Sequence, residues 1–402
     1  MAHKKDNGLI REMQKVLLDD SDFLKKLIQE NLQKILEAEF ESKIQAKPYE
    51  RTDDRQGYRN GTYTRTLKTR VGTLELQVIR DREGKFSTEL FDRYQRSEKA
   101  LVLSLIEMYI NGVSTRKVKK ITEKLCGTMI SKSTVSVLTK ELDKDISRWR
   151  NRALTEEYPY LMVDARYESV RKHGVIVSQA VLIVIGISSK GYREILSVDV
   201  GDSEDEQTWT NIFRRLKVRG LKGVTYVVSD DHSGLVKSIK REFQGAAWQR
   251  CQVHFIRNFM SKFSKKERPD YLRKLKDVFN APDIRQAIER KDKLVIELES
   301  YKKEISEWLD NEIESCFSVY SLPFEHQRRM RSTNMIERLN QELLKRSRII
   351  RIFPNVDSII RLFGSMCIEQ SEKWQTGYRY LDMTLPRPKK NQLEQNRFKK
   401  TG

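Results

Sequence analysis

Three carboxylates, remote along the chain, stand where chemistry on a phosphate ester would need them. Asp164 closes the apolar run YLMVD, and Asp230 closes TYVVSD. Glu337 lies within a basic stretch, RSTNMIERLNQELLKRSRIIRIFPN, that runs from Arg331 to Asn355. Apolar runs of this kind read as buried central strands, and open α/β sheets bind ligands at the carboxyl ends of such strands. Hard divalent cations favour oxygen ligands, and Mg2+ takes one or two carboxylates together with substrate phosphates. Two such ions can activate the attacking oxygen and stabilise the leaving one in an in-line displacement. Each residue also has a plainer reading. A strand-end aspartate can be a turn residue or helix cap, and Asp230 precedes His232-Ser233-Gly234, which could simply begin a turn. Asn334 with Glu337 reads as a variant capping box. The three together favour the site. Asp231 rivals Asp230, which is preferred because it follows Val-Val-Ser as Asp164 follows Leu-Met-Val.

On a helical wheel Ile336, Leu339 and Leu343 form a buried stripe. Glu337 lies about 100° from Ile336, at the border of that stripe. Its carboxylate can then face the strand ends while the helix packs on the sheet. Arg338, Lys345, Arg346, Arg348 and Arg351 supply a field for phosphates. The whole chain agrees with that field: 402 residues carry 77 basic and 57 acidic side chains, a net charge of +20. Such an excess points to a polyanionic partner, above all nucleic acid, through release of condensed counterions. With 38% hydrophobic residues the chain is not a disordered tail. Cys126, Cys251, Cys316 and Cys367 show no secreted spacing, which fits a reducing cytoplasm. The charged N-terminus has no signal-peptide block, and no window reaches the apolar length of a membrane span.

The elements that must position these residues divide into segments. Residues 1–50 hold a helix from Asp20 to Ile44, striped by Leu24, Leu27, Ile28, Leu32, Ile35, Leu36 and Phe40, which packs on its own core or on a second subunit. Residues 51–95 read as a β-rich basic module, TYTRTLKTR and LELQVIRD about Val71-Gly72-Thr73. There Arg65, Lys68 and Arg70 contact a DNA backbone or lie on a solvated face. Residues 96–150 hold three short helices broken at Gly112 and Gly127, resembling a helix-turn-helix, with Lys132 and Ser133 at the start of the recognition helix. A generic three-helix bundle is the alternative. From Tyr158 the order β-β-β-α-β-α-β specifies a mixed sheet flanked by helices, over residues 151–262, with AAWQRCQVHF as its fifth strand. Residues 263–325 form an all-α insertion, residues 326–380 return with the glutamate helix, and residues 381–402 are a basic tail. Cys251 and His254 are too few for a structural zinc site and read as packing or a polar contact near the site. His232 touches a phosphate, the second aspartate or its own turn. Trp209 reads as core, with stacking on a flipped base as the lesser alternative.

Asp164, Asp230 and Glu337 in this order resemble the DDE triad of transposases with an RNase H-like catalytic domain, and the match is closest to bacterial insertion-sequence transposases of the Mutator-like type. GYRNGTYTRTLKTRVGTLELQVIRDREGKF, SDDHSGL, WQRCQVHFIRN with its Cys-x-x-His pair, and STNMIERLNQELLKRSRIIRIFPN carry the resemblance over residues 50–375. It implies an α/β, RNase H-like mixed sheet with an all-α insertion, preceded by N-terminal helical, β-hairpin and helix-turn-helix DNA-binding modules. It implies two Mg2+ or Mn2+ ions on the three carboxylates, double-stranded DNA at transposon ends and targets, and a homodimer holding both ends. It implies strand cleavage, then attack of a freed 3′-hydroxyl, through a copy-out and paste-in circular intermediate in a bacterial cytoplasm, at the nucleoid when DNA-bound. The alternatives are a catalytically silent element-derived repressor and an RNase H-like nuclease without strand transfer. Asp231 departs from the small neutral residue expected after the second aspartate.

Overall fold

The computed structural model describes residues 21–46, 50, 55–69, 71–83, 86–88, 99–110, 113, 115–126, 131–140 and 142–385. Residues 1–20, Arg70, the breaks at Gly112 and Gly127 and the tail from Pro386 lie outside them, as do the side chains of Lys132 and Ser133. The chain divides into two compact units, Met1–Lys140 and Glu141–Gly402.

In the first unit, β1 (Arg59–Thr69) and β2 (Gly72–Asp81) form an antiparallel hairpin with Thr69 opposite Gly72. Gly72 takes a φ of 117°, a conformation open to glycine. Alternate residues Leu74, Leu76 and Val78 of β2 are buried, the period of a one-faced strand. They meet helix α1 (Ser21–Ile44), where Leu36 packs with Leu67, Leu76 and Val78. Phe40 and Ile44 pack with Ile79, and Phe40 meets Phe86 edge-on at 5.0 Å. Gln33 locks the helix to the strand edge, its amide donating to the Gln77 carbonyl at 3.0 Å and accepting from the Gln77 N–H at 2.9 Å. The later half of the apolar stripe thus covers the chain's own hairpin, while Leu27 and Ile35 remain exposed. Helices α2 (Lys99–Ile110), α3 (Thr115–Cys126) and α4 (Lys132–Thr139) bury Leu101, Leu105, Val118 and Val135 against one another. Ser131 caps α4 by accepting from the Thr134 N–H at 3.0 Å.

The second unit begins with α5 (Leu142–Arg150), which the sequence grouped with the preceding helices. It packs instead on α14 (Val356–Thr376): Asp143 accepts two bonds of 2.7 Å from the buried Arg361, and Gly364 leaves room for Ile146. Strands β3 (Tyr160–Lys172), β4 (Val175–Ile187), β5 (Arg193–Gly201), β6 (Tyr226–Ser229) and β7 (Ala247–Arg250) form a mixed sheet in the order β5-β4-β3-β6-β7. β3, β4 and β5 are antiparallel neighbours, and β6 and β7 add in parallel. Helices α6 (Glu206–Val218) and α7 (Ser233–Glu242) supply the crossovers. Asp205 caps α6 by accepting from the Thr208 N–H at 2.7 Å. Trp209 and Phe213 of α6 lie fully buried against Leu161, Val163, Leu182 and Val227, so Trp209 is core.

After β7 the chain is helical: α8 (Gln252–Ser261), α9 (Arg268–Phe279), α10 (Ile284–Glu299) and α11 (Lys303–Glu312), then two short 3-10 turns and α12 (Phe324–Met330). Phe255 and Phe259 of α8 stack on Trp308 of α11 at 5.0 and 6.2 Å, tying this layer together. The expected fifth strand is therefore cut short. β7 ends where its pairing with β6 ends, at Arg250, and Cys251 turns the chain into α8. Helix α13 (Asn334–Ile350) crosses the other face of β3, burying Ile336, Leu339 and Leu343. Beyond it, Phe353 clips onto β3, donating to the Ser169 carbonyl and accepting from the Arg171 N–H, both at 2.8 Å.

Trp209→Ala should destabilise the second unit by about 3–5 kcal/mol, because a fully enclosed indole leaves a cavity that the sheet cannot close. Denaturant unfolding of wild type and variant reads the difference.

Candidate active site

Parallel pairing of β3 with β6 ends at Met162 and Val228. β6 stops one residue later, and Asp230 leaves the sheet there. β3 does not stop. It runs on to Lys172 as half of a hairpin with β4, so Asp164 lies within a strand rather than at its end. The expectation that both aspartates terminate strands is corrected for Asp164: the continuing β4 ladder, with Ile183 opposite Asp164, holds the backbone extended. Asp164 nonetheless lies just past the last parallel partner, next to the point where Asp230 emerges.

The period of the strand puts Tyr160, Met162 and Asp164 on one face, the face α13 covers. Asn340 of α13 donates to Asp164 Oδ2 at 3.3 Å, and its carbonyl accepts from Arg166 at 2.5 Å. Glu337 occupies the first turn of α13, behind Thr333, which makes no side-chain cap bond. The glutamate does not close a capping box. Its carboxylate Oε1 stands 3.5 Å from His254 Nε2 and 3.6 Å from Arg257. Both come from α8, whose start is fixed by the Cys251 N–H donating to the Ser229 carbonyl at 2.7 Å and the Gln252 N–H donating to the Arg331 carbonyl at 3.0 Å. The turn from β7 into α8 is what aims His254 at the carboxylates.

Charge accounts for the protonation of the group. Asp164 is 6% exposed, and burial pushes its carboxyl up. His254 pulls it back, Asp230 and Glu337 push it further, and the result is about 7. His254 is pushed up to about 9, first by the Cys251 sulfur and then, against its own burial, by Asp164 and Asp230. Cys251 is held down in turn: burial raises it, but His254 and the two donors of Thr333, at 3.3 and 3.4 Å, outweigh that. His254 Nδ1 is buried without a hydrogen-bond partner of good geometry, so the sulfur acts on it by proximity and charge.

Asp230 and Asp231 part company here. Asp231 pairs with the buried Arg250 at 3.0 Å, whereas Asp230 acts electrostatically on Asp164, His254 and Glu204. His232 is exposed at the start of α7 without a side-chain cap bond, and its N–H donates weakly to Asp230 at 3.4 Å. Arg338, Lys345, Arg348 and Arg351 are exposed along and just beyond α13, Lys345 paired with Glu342 at 2.6 Å, and Arg346 is half-buried. Arg65 and Lys68 are half-buried on β1, in the other unit. Sequence reasoning missed Asn340 and Arg257, which lie three residues beyond Glu337 and His254, one helical turn along the same faces. It also missed Glu204, buried three residues beyond β5 and pushed up by burial and by Asp230.

Three carboxylates in mutual electrostatic reach form a hard, all-oxygen donor set suited to Mg2+ or Mn2+. Among the described residues, however, no group of three or more His, Cys, Asp or Glu side chains is disposed to hold a metal ion. Glu337 is engaged by His254 and Arg257. A cavity of about 540 Å3 lies elsewhere, between α5, β5 and α6, where Asp199 pairs with both Arg150 and Arg215. It has no part in the carboxylate group.

Comparison with known proteins converges on one family. A family model described as "Transposase, Mutator family" matches residues 1–377. The chain is 46% identical over 371 residues to the transposase for insertion sequence element ISRM5 of Rhizobium meliloti, covering 92% of each. It is 45% identical over 357 residues to the transposase for insertion sequence element IS256 in transposon Tn4001 of Staphylococcus aureus, covering 88% of this chain and 91% of the relative. It is 40% identical to the transposase for insertion sequence element IS406 of Burkholderia multivorans, over 84% and 87% of the two chains. A chain in the crystal structure of the Mos1 Strand Transfer Complex aligns over 40% of this chain and 60% of its own at 11% identity, with a TM-score of 0.14, too low to say anything of the fold.

Asp164 ionises near pH 7 in the folded chain against an ordinary value of 3.8, so the folded state holds its proton longer. Stability should therefore fall from about pH 4 to about pH 7 and then level, by at most about 4 kcal/mol. His254 contributes stability that is present below 6.5 and is lost as pH rises through about 9. Asp164→Asn should melt above wild type at pH 7–8, with the advantage shrinking toward pH 4. Melting curves across that range that stay parallel would show that burial of Asp164 is not costly.

Proposed function

The chain belongs to the Mutator family of transposases, and from that premise we propose that it is an active DDE transposase: it binds the terminal inverted repeats of an insertion sequence, cleaves DNA strands and joins the freed 3′-hydroxyl to another phosphodiester. The observation that carries this reading is the meeting of Asp230 and Asp164 where β6 ends beside β3, with Glu337 brought to the same place by α13. Asp164, Asp230 and Glu337 would hold Mg2+ or Mn2+, which when bound as a pair supplies activation of the attacking oxygen and stabilisation of the leaving one.

The chain's own residues have separable tasks. Asn340 fixes the rotamer of Asp164. His254 and Arg257 restrain Glu337 and offset the like charges of the three carboxylates. Arg338, Lys345, Arg346, Arg348 and Arg351 would steer phosphates along α13 toward that corner. In the first unit, α2 to α4 would serve as the helix-turn-helix, with Lys132 and Ser133 entering the major groove. The hairpin's Arg65 and Lys68 would bind the DNA backbone. The sheet would be an RNase H-like core, the helices from α9 to α11 its insertion, and α1 with its exposed Leu27 and Ile35 a contact between two protomers that hold both ends. A copy-out and paste-in route through a circular intermediate is the pathway this reading favours, in a bacterial cytoplasm at the nucleoid. No helix among the described residues is long and apolar enough to cross a membrane.

Asp164→Asn should abolish Mg2+-dependent cleavage of an end-bearing duplex, by at least about a thousandfold, while binding of that duplex survives. Parallel loss of binding counts against a metal-holding role. A wild-type chain that binds ends but never cuts them indicates a silent repressor; cutting without joining to a target plasmid indicates a nuclease. Binding should also weaken steeply with salt, by roughly a factor of a thousand between 50 and 200 mM if six or more phosphates are neutralised. A flat salt response would contradict the phosphate-contact surface.

A further inference from the structure

Beside the first turn of α13 lies a patch that, Arg338 apart, the cleavage reading does not use. Its centre is Arg193, at the start of β5, whose guanidinium lies between the rings of Trp374 and Tyr380 at 4.8 and 4.7 Å. Arg329 of α12 covers Tyr380 at 5.0 Å. Arg193 also donates to the sulfur of Met335, two residues before Glu337, at 3.8 Å, which sets the patch against the catalytic helix. Arg338 reaches Tyr380 electrostatically from the same turn. Arg379 faces the ring of Tyr192 at 6.0 Å.

Two features set this patch apart from an ordinary basic surface. First, Arg193, Arg329, Arg338 and Arg379 form no ion pair among the described residues, although the chain pairs many of its other arginines. Asp382 feels Arg379 but does not bridge to it. Arg193 Nε is buried without a hydrogen-bond partner. Second, Tyr378, the residue before Arg379, is 96% exposed, a flat ring presented to solvent. Its mount is firm. The N–H groups of Tyr380 and Leu381 donate to the Gly191 carbonyl at 2.8 and 3.2 Å, and the buried His326 donates to the Asp382 carbonyl at 2.8 Å. Gly191, at a φ of 85°, has no room for a Cβ, which would lie 1.9 Å from the Leu381 carbonyl oxygen.

Unpaired cations attract phosphates, and an exposed ring next to them offers a face to a base. A duplex has no free base face, since its bases stack on one another. Interleaved aromatic and basic groups are the chemistry of a single strand. We propose that this patch seats an unpaired stretch of DNA beside the first turn of α13, on the side that bears Met335 and Arg338, with phosphodiesters on Arg329, Arg338 and Arg379 and a base stacked on Tyr378. The inference rests on the transposase reading for the identity of the strand, which would be DNA opened beside the cleavage site.

The test uses the full chain, a fluorescent single-stranded thymidine oligonucleotide and a blunt duplex of equal length, followed by anisotropy. Tyr378→Ala should weaken single-strand binding about tenfold, Tyr378→Phe should preserve it, and neither should change duplex affinity by more than about twofold. Arg379→Ala should weaken single-strand binding and flatten its salt dependence. Unchanged single-strand affinity in Tyr378→Ala, or equal loss on duplex, overturns the proposal. So does a change of oligomeric state in that variant without DNA, which would assign the patch to a second copy. Cleavage by the wild-type chain keeps the two readings apart. If it cuts and joins ends while Tyr378→Ala binds single strands normally, the patch proposal alone fails. If it never cuts, yet Tyr378→Ala loses single-strand affinity selectively, the patch stands and the transposase reading fails.

Discussion

Like charges gathered in a partly buried corner repel, and the architecture of the second unit is organised around that repulsion. Asp164 is enclosed by β3 and α13, and its neighbours Asp230 and Glu337 raise the cost of ionising it. The relief comes from α8. His254 is held cationic by Cys251 and by the aspartates, and with Arg257 it occupies the carboxylate of Glu337. Cys251 in turn is fixed by Thr333, the residue before α13. The cysteine, the histidine and the helix that bears the glutamate form one chain of dependence.

Much of this was legible in the sequence because burial leaves a compositional trace. The runs before Asp164 and Asp230 are apolar since those strands are covered on both faces. The stripe of Ile336, Leu339 and Leu343 gave the orientation of α13, and the border position of Glu337 followed from helical geometry. The mixed order of strands and crossover helices was also readable, because Asp205 and the glycine turns punctuate it.

What stayed hidden was set by pairing rather than by composition. Nothing local says that β3 outruns β6, since RYESVRK past Asp164 is polar and only its ladder with β4 keeps it extended. β7 ends at Arg250 because β6 has no further residue to offer, and an apolar CQVHF reads equally well as strand or helix. Leu142–Arg150 joins the second unit through Arg361, more than two hundred positions away, which no window of sequence could reveal. Asn340 and Arg257 became meaningful only once the faces of their helices were known.

The clip between Phe353 and β3 has a mechanical consequence for the glutamate. Helix α13 is clamped downstream by that short parallel bridge and at mid-length by the bond from Arg166 to the Asn340 carbonyl. Its leading end is tied as well, by Thr333 on the Cys251 sulfur and by Arg193 on Met335. Any adjustment that carries Glu337 toward the aspartates is thereby confined to rotation of its own side chain, so the reach of the site is tuned by one rotamer and not by displacement of the helix.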